Sequence, residues 1–237
     1  MRRVDERADK ESKKARKSLR HGVFSLRGVR EITEAERELL IRFVRATDKT
    51  ECGTPRGLDI EEDPLEFFRR WEMPLGILNA LVEGTLKSAP KFDRLFRTHR
   101  RDCERVIELV RELVPIVRRA AEEAAGVRSK FVHVSLGVIE PKAKAQLPHP
   151  DSTGSDAQRF HVASVSVTDF EDQGCTEFGD GTSQFGFKTF DGPILWRGSI
   201  WHRGGENKSD SHARLVLFFT FDNSEKDLAI EDNLPFV

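Results

Sequence analysis

The alternation of apolar and polar residues divides the chain into a helical first half and a strand-rich second half. Between residues 91 and 125, apolar residues recur with the i, i+3, i+4 spacing of an amphipathic helix, in which Pro115 predicts a kink or a break. Gly126 predicts the end of this helix. From there the period changes to two, and residues 131–139 alternate and are rich in β-branched side chains, as is typical of a strand.

Shorter helical patterns occupy the rest of the first half. Thr33 and Glu36 are spaced as in a capping box, and an apolar stripe follows them. Residues 64–73 and 75–86 predict two short helices, whereas residues 48–62 are rich in Gly, Pro and charge and predict a loop. The second half carries about six to eight short strand-like runs, which favours a barrel or sandwich. We therefore expect an α+β fold, with helices that buttress one face of a strand-built core.

The charge distribution sets a short basic arm apart from the rest of the chain. Residues 1–20 carry nine Lys or Arg and four Asp or Glu, a net charge of +5, and few apolar residues. We expect residues 1–25 to be a mobile arm and residues 26–237 a single domain, helical over 26–126 and strand-built over 127–237. The arm is either a solvated segment or an electrostatic contact to phosphates. No aromatic residue is interleaved with its charges, which weakens the second interpretation.

Composition limits the range of functions. A chain of 237 residues with 38% hydrophobic content can bury one sizeable core, and its net charge of −1 gives no overall attraction to nucleic acid or anionic membrane. Three cysteines argue against a disulfide framework and favour a reducing compartment. No apolar stretch is long enough to cross a bilayer, and no secretory signal is visible. We therefore expect a cytoplasmic protein without a membrane span, for which nucleic acid is not the expected partner.

Two histidines and an aspartate carry the most specific chemistry in the strand-rich half. His149 and Asp151 are two residues apart, so on an extended segment their side chains point the same way. His202 ends a second strand-like run, and Arg214 lies within a third, residues 213–221. Two histidines and one carboxylate are the ligand set of an open, three-point Fe(II) site.

Strand pairing could bring the cation next to the metal ligands. If the second and third runs form a hairpin with its turn near Lys208, His202 lies opposite Arg214. Arg214 should point into the barrel, because a charge within so apolar a strand needs a partner. By alternation Trp196 shares the face of His202 and is the better placed of the nearby tryptophans to pack against the site.

Each of these residues also has a purely structural explanation. The segment from His149 to Asp151 could be a turn in which the aspartate caps a backbone N–H. His202 could be a core histidine with satisfied hydrogen bonds. Arg214 is harder to explain in this way, and the four residues together favour a metal site.

The same residues resemble the Fe(II)/2-oxoglutarate-dependent dioxygenase superfamily, and most closely its phytanoyl-CoA dioxygenase-like branch. Residues 196–209, with a Trp-His-Arg-Gly core and an Asn-x-Ser, followed by Arg214, are similar to that branch's distal-histidine motif. Residues 174–176, Gly-Cys-Thr, resemble the Gly-x-Thr that often follows the first two ligands. The resemblance covers about residues 130–222. It departs at residues 179–182, where Gly-Asp-Gly-Thr stands in place of a frequent Pro-Gly-Ser-His.

The resemblance implies a double-stranded β-helix, or jelly roll, with iron at its open end. The iron ligands that it implies are His149, Asp151 and His202. Arg214 would bind the distal carboxylate of 2-oxoglutarate, since the planar guanidinium fork suits a carboxylate. Thr176 would help to hold the same cosubstrate. His161 either touches 2-oxoglutarate or the substrate, or is a plain strand histidine.

The implied activity is that of a 2-oxoglutarate-dependent dioxygenase. It would convert 2-oxoglutarate and O2 to succinate and CO2 while hydroxylating a C–H bond of a small molecule. Asp151 favours C–H oxidation, because related halogenases usually carry a small residue at that position. Neither the identity of the substrate nor the oligomeric state follows from the sequence.

Other classes stay open at this point. The chain could be an inactive or 2-oxoglutarate-independent metal barrel that acts as a binding module, with the basic arm as its contact site. A cupin-type dioxygenase would usually show His-x-His where Asp151 follows His149. A nucleic-acid demethylase of the AlkB type would carry a second arginine shortly after Arg214, and a prolyl-4-hydroxylase type would usually have lysine there.

Overall fold

The computed structural model describes residues 22–47, 52, 54–55, 70–153, 159–168, 174–179, 188–189 and 192–223. Its strands are β1 Val23–Ser25, β2 Thr54–Pro55, β3 Arg70–Pro74, β4 Lys130–Ile139, β5 Phe160–Ser166, β6 Thr176–Phe178, β7 Lys188–Thr189, β8 Ile194–Arg197, β9 His202–Gly204 and β10 Arg214–Asp222. Its helices are α1 Glu34–Ala46, α2 Leu75–Glu83, α3 Pro90–Thr98 and α4 Arg100–Ala125. None of the helices in these ranges combines the length and the apolar character that a membrane span needs.

The strands form two antiparallel sheets. The larger has the order β1-β8-β5-β10-β4-β3-β2, and the smaller has the order β7-β6-β9. On β10, Leu215, Leu217 and Phe219 belong to the main core with the helices, whereas Arg214 and Phe218 face a cavity between the sheets. Because side chains alternate along a strand, one face of the larger sheet packs on helices and the other lines the cavity. The predicted α+β class is confirmed.

The helices follow the sequence pattern with one difference. Thr33 and Glu36 form the predicted capping box at the start of α1, and Gly126 ends α4 with φ +69°. The predicted single helix over 91–125 is instead two helices that separate at His99, and α4 continues through Pro115. An internal proline removes a hydrogen bond and costs about 3 kcal/mol. The completely buried apolar face of α4 on both sides of the proline offsets this cost.

The first half of the chain is not purely helical. Strand β3 replaces the end of the helix that we predicted over residues 64–73, and it pairs with β4 so that Arg70 lies opposite Ile139. Val23–Ser25, which we expected in the arm, form β1 and pair with β8. These two strands gain ladder hydrogen bonds and bury apolar side chains, which a helix or a mobile arm in the same place would not. Residues 1–21 of the arm lie outside the described residues.

The hairpin that the sequence offered as one possible pairing of the two C-terminal runs does not form. β8 ends at Arg197 and a turn at Gly198 and Ser199 follows, after which the chain enters the smaller sheet as β9. β9 pairs with β6, whereas β10 pairs with β4 and β5. The chain thus passes from the larger sheet (β8) to the smaller (β9) and back to the larger (β10). His202 and Arg214 therefore face the same cavity from different sheets.

A buried asparagine shapes the connection from β9 to β10. The Nδ2 atom of Asn207 lies 3.0 Å from the carbonyl oxygens of Ile139 and Glu140 and 2.9 Å from that of His212. Its Oδ1 accepts a hydrogen bond from the backbone N–H of Ser209 at 3.2 Å. The Asn-x-Ser of the sequence motif therefore fixes the loop that delivers β10 to the cavity.

Candidate active site

A cavity of about 650 Å³ lies between the two sheets, and most of the predicted site residues line it. Its wall includes His149, Asp151, Thr176, His202 and Arg214. Its volume falls in the range of roughly 300–1,000 Å³ that is typical of small-molecule sites. The structure thus brings five of the six predicted site residues to one cavity, although the sequence separates them by up to 65 positions.

The three predicted metal ligands form one cluster. One nitrogen or oxygen atom from each of His149, Asp151 and His202 lies within 4.8 Å of the others. Two backbone hydrogen bonds hold the histidines side by side, from His149 N to His202 O at 2.9 Å and from His202 N to His149 O at 3.0 Å. This short bridge extends the smaller sheet by one pairing and sets the imidazole centroids 4.7 Å apart.

Hydrogen bonds fix the tautomers of both histidines. His149 Nδ1 lies 2.9 Å from the carbonyl oxygen of Leu147, and His202 Nδ1 lies 2.9 Å from that of Ile200. A carbonyl oxygen can only accept, so each Nδ1 carries the proton and each Nε2 has a lone pair for a metal. Burial lowers the pKa of His202, while the Asp151 carboxylate acts in the opposite direction. Burial thus favours the neutral imidazole that a metal ion requires.

The aspartate is oriented by a tryptophan. The Trp196 indole N–H donates to Asp151 Oδ2 at 2.8 Å, and Asp151 Oδ1 lies 3.5 Å from His202 Nε2. The Trp196 ring also lies beside the His202 ring, with centroids 5.1 Å apart, although the two residues are on different sheets. Two imidazole nitrogens and one carboxylate oxygen in this arrangement fit a divalent ion such as Fe(II).

Arg214 places a buried cation in the same cavity. It begins β10, is only 4% exposed, and lies opposite Ile139 of β4. Burial lowers the pKa of Arg214 to about 10, while the nearby Cys175 and Glu177 act to raise it. The guanidinium therefore stays charged at neutral pH and can meet a carboxylate. Thr176, which is paired with Gly204, adds a hydroxyl to the cavity wall.

The second buried arginine of the cavity wall was not anticipated. Arg70 of β3 lies across Ile139 from Arg214 and donates hydrogen bonds to the carbonyl oxygens of Lys144 and, at 3.0 Å, Gly205. It thereby ties the larger sheet to the segments that carry His149 and His202. The signal for β3 was present in the sequence, since polar Arg and Glu alternate with apolar Trp and Met over residues 70–73.

Two further polar residues face the cavity at the level of the metal cluster. Through the strand register, Trp196 is opposite Val162, Val162 is opposite Thr220, and Thr220 is opposite His133. His133 Nε2 lies 3.4 Å from Thr220 Oγ1, and both line the cavity. The sequence pattern does not single out His133 as a site residue. The structure instead places it on the wall that a bound molecule would meet.

His161 is the predicted site residue that the structure does not bring to the cavity. The neighbouring Phe160 and Val162 line the cavity, whereas His161 points to the opposite face of β5 and is only 5% exposed. Its Nδ1 accepts a hydrogen bond from the side-chain amide of Asn223. Burial, with a smaller effect of the Arg197 charge, lowers the pKa of His161 to about 4, so the ring is neutral at pH 7.

Solved structures share this architecture. The non-haem α-ketoglutarate-dependent carbocyclase SnoK from nogalamycin biosynthesis matches with a TM-score of 0.54 and 15% identity over 89% of this chain and 83% of its own. The α-ketoglutarate-dependent epimerase SnoN of the same biosynthesis matches with a TM-score of 0.53 and 16% identity over 93% of this chain and 90% of its own. A prolyl hydroxylase from Trichoplax adhaerens, in complex with a peptide fragment, matches with a TM-score of 0.52 and 9% identity over 85% of this chain and 82% of its own.

The chain has the jelly-roll fold of these proteins. At 9–16% identity, the likeness establishes the fold and not the reaction or the substrate. No protein-family model matches the sequence, and no curated protein matches it. The function must therefore be inferred from the residues in the cavity.

Proposed function

We propose that the chain is a non-haem Fe(II)/2-oxoglutarate-dependent oxygenase that oxidises a C–H bond of a small molecule. The observation that carries the proposal is the meeting of His149, Asp151 and His202 with the buried Arg214 in one cavity. A triad alone would fit several metal enzymes. The added cation is what a dicarboxylate cosubstrate requires, and the α-ketoglutarate-dependent enzymes of similar fold support the same interpretation.

The chain's own contribution begins with the metal ligands. His149 and His202 would each offer Nε2, because their Nδ1 atoms donate to backbone carbonyls, and Asp151 would offer a carboxylate oxygen. Three protein ligands leave positions for 2-oxoglutarate and O2. When bound, the iron and its cosubstrates supply the oxidising chemistry that couples decarboxylation of 2-oxoglutarate, to succinate and CO2, with oxidation of the substrate.

Arg214 and Thr176 would hold the distal carboxylate of 2-oxoglutarate. Arg214 can donate two parallel N–H···O bonds, which are stronger and more directional than a point-charge contact. Its burial removes competing water, so the ion pair with a carboxylate would be stronger than at the surface. Thr176 lies on the smaller sheet, on the side of the metal ligands, and its hydroxyl can add one hydrogen bond.

The substrate would be a small molecule placed against the wall of His133, Thr220 and Val162. This row lies in register with Trp196, the partner of the carboxylate ligand, whereas Arg214 begins β10 six residues before Thr220. Asp151 favours hydroxylation or another C–H oxidation over halogenation. Membership of the phytanoyl-CoA dioxygenase-like branch stays a prediction that rests on the distal-histidine motif.

The test is spectroscopic and chemical. Under anaerobic conditions, Fe(II) with 2-oxoglutarate should give a weak visible charge-transfer band. Adding O2, with ascorbate as the reductant in place of the substrate, should yield succinate and CO2. His202→Ala should abolish both. The matched control is His99→Ala, because His99 is exposed and lies between α3 and α4. An iron-loaded wild-type protein with neither the band nor succinate would refute the proposal and leave the binding-module alternative.

A further inference from the structure

Trp196 makes a contact to the metal cluster that the proposed function leaves unused. It is 1% exposed, and its indole N–H donates to Asp151 Oδ2 at 2.8 Å. The other carboxylate oxygen, Oδ1, lies 3.5 Å from His202 Nε2. The two oxygens of one carboxylate therefore have different surroundings.

The indole is held rigidly in place. Its ring packs against Phe178 at 5.5 Å and Phe218 at 6.4 Å between centroids, in addition to His202. These contacts come from both sheets, so the N–H direction is fixed by the core and not by the carboxylate itself. A buried donor with a fixed direction selects one orientation of a short acceptor side chain.

The backbone after Asp151 is fixed by the same part of the chain. The N–H of Ser152 donates to the carbonyl oxygen of Gly198 at 3.0 Å, and Gly198 directly follows β8, the strand of Trp196. A methyl group at Gly198 would lie 2.2 Å from Ser152 Oγ, so the two segments are in close contact. The end of β8 thus supports both the main chain and the side chain of the carboxylate ligand.

We propose that Trp196 is a positioning residue that makes Asp151 bind the metal through Oδ1 alone. This inference rests on the proposed function, because it concerns the same metal site. A carboxylate with both oxygens on the ion would occupy one more coordination position. By holding Oδ2, the indole keeps that position for the cosubstrates and fixes the direction of Oδ1.

The inference is tested with Co(II) as the probe, because its visible spectrum reports the coordination number. Trp196→Phe removes the N–H and keeps an aromatic ring, and we expect it to weaken Co(II) binding about 10-fold or more and to change the Co(II) spectrum. The matched control is Trp201→Phe, because Trp201 is 42% exposed and also neighbours His202 in sequence. This control should bind Co(II) as the wild type does.

A second variant separates the hydrogen bond from the packing of the ring. Site-specific replacement of Trp196 by 3-benzothienylalanine exchanges the N–H for sulfur in a ring of nearly the same shape. It should reproduce the Trp196→Phe spectrum and affinity, with a metal-free melting temperature near that of the wild type. If the isostere behaves as the wild type does, packing and not the N–H acts on the site, and the inference is overturned.

The outcomes for the inference and for the proposed function differ. Wild-type affinity and spectrum in Trp196→Phe would overturn the inference while leaving the metal site intact. A wild-type protein that binds neither Co(II) nor Fe(II) would overturn the proposed function, and the inference with it.

Discussion

Replacing Arg214 with methionine would separate the cost of burying its charge from the use that the proposed function makes of it. Burial lowers the pKa of Arg214 from 12.5 to about 10. One pKa unit corresponds to about 1.4 kcal/mol, so the folded protein carries a penalty on the order of 3 kcal/mol for this charge. The side chain is 4% exposed, and solvent screening therefore reduces the penalty little. Because the folded-state pKa is below the unfolded one, removing the charge removes a destabilising contribution.

The same substitution should weaken binding of 2-oxoglutarate. A bidentate arginine–carboxylate contact comprises two charge-assisted hydrogen bonds, each worth roughly 1.5 kcal/mol or more. Their loss amounts to about 3 kcal/mol, or a dissociation constant roughly 100-fold higher. Arg214→Met should therefore be at least as stable as the wild type in the absence of ligands and should bind 2-oxoglutarate about 100-fold more weakly.

Urea unfolding of the metal-free protein and calorimetric titration of 2-oxoglutarate into the Co(II)-loaded protein measure the two effects. Arg214→Lys is the matched control: it keeps a buried charge without the planar fork, so it should stay no more stable than the wild type and bind with intermediate affinity. The reasoning fails if Arg214→Met loses more than about 2 kcal/mol of unfolding free energy, because the arginine would then be structural. Unchanged 2-oxoglutarate affinity would equally refute the assigned role.

Three further predictions concern acid sensitivity, backbone fit and the substrate wall. Burial lowers the pKa of His161 from 6.5 to about 4, so the free energy of unfolding should fall by about 3 kcal/mol as the pH drops from 6.5 to 4. His161→Gln should reduce the loss of unfolding free energy between pH 7.5 and pH 4.5, measured by urea unfolding. An equal loss in the variant and the wild type would contradict the prediction. Gly174→Ala should cost about 2–3 kcal/mol, because the new methyl would lie 2.2 Å from the carbonyl oxygen of Glu206 at φ +63°. Gly28→Ala, with φ +79° and open space, should cost only about 1 kcal/mol, and similar melting temperatures would count against the clash. His133→Phe should leave the 2-oxoglutarate dissociation constant within about twofold of the wild type by calorimetry while reducing binding of any substrate found by screening, and a large loss of cosubstrate affinity would place His133 at the other end of the cavity.

Features that depend on neighbouring residues could be predicted from the sequence. The capping box at Thr33, the end of α4 at Gly126 and the strand at residues 130–139 each follow from patterns shorter than one element. The inward direction of Arg214 follows from alternation and from the cost of burying a charge among apolar side chains. The residue types of the candidate site could also be predicted, because only a few kinds of side chain bind a metal ion or a carboxylate.

Features that depend on distant pairing could not be predicted in this way. β3 is a five-residue strand whose partner in β4 lies more than 60 positions later, and its short alternation was outweighed by the helical pattern around it. The hairpin could not be excluded from the sequence, because hydrophobic periodicity does not indicate where a strand ends. The turn at Gly198 divides one apolar run into β8 of the larger sheet and β9 of the smaller.

The two-sheet arrangement has a consequence for how the site is held together. His202 belongs to the smaller sheet and Arg214 to the larger, so their separation depends on how the sheets close and not on a shared hairpin. The closure is fixed by two buried polar contacts. Arg70, which lies outside the motif, donates to the carbonyl oxygen of Gly205, and Asn207 of the Asn-x-Ser donates to that of Ile139. Truncating either side chain removes a buried donor from the backbone oxygens that it binds, and the loss should cost about 1–3 kcal/mol. A chain could therefore retain the triad and Arg214 and still lose the geometry of the site, because these cross-sheet hydrogen bonds set the distance between the triad and Arg214.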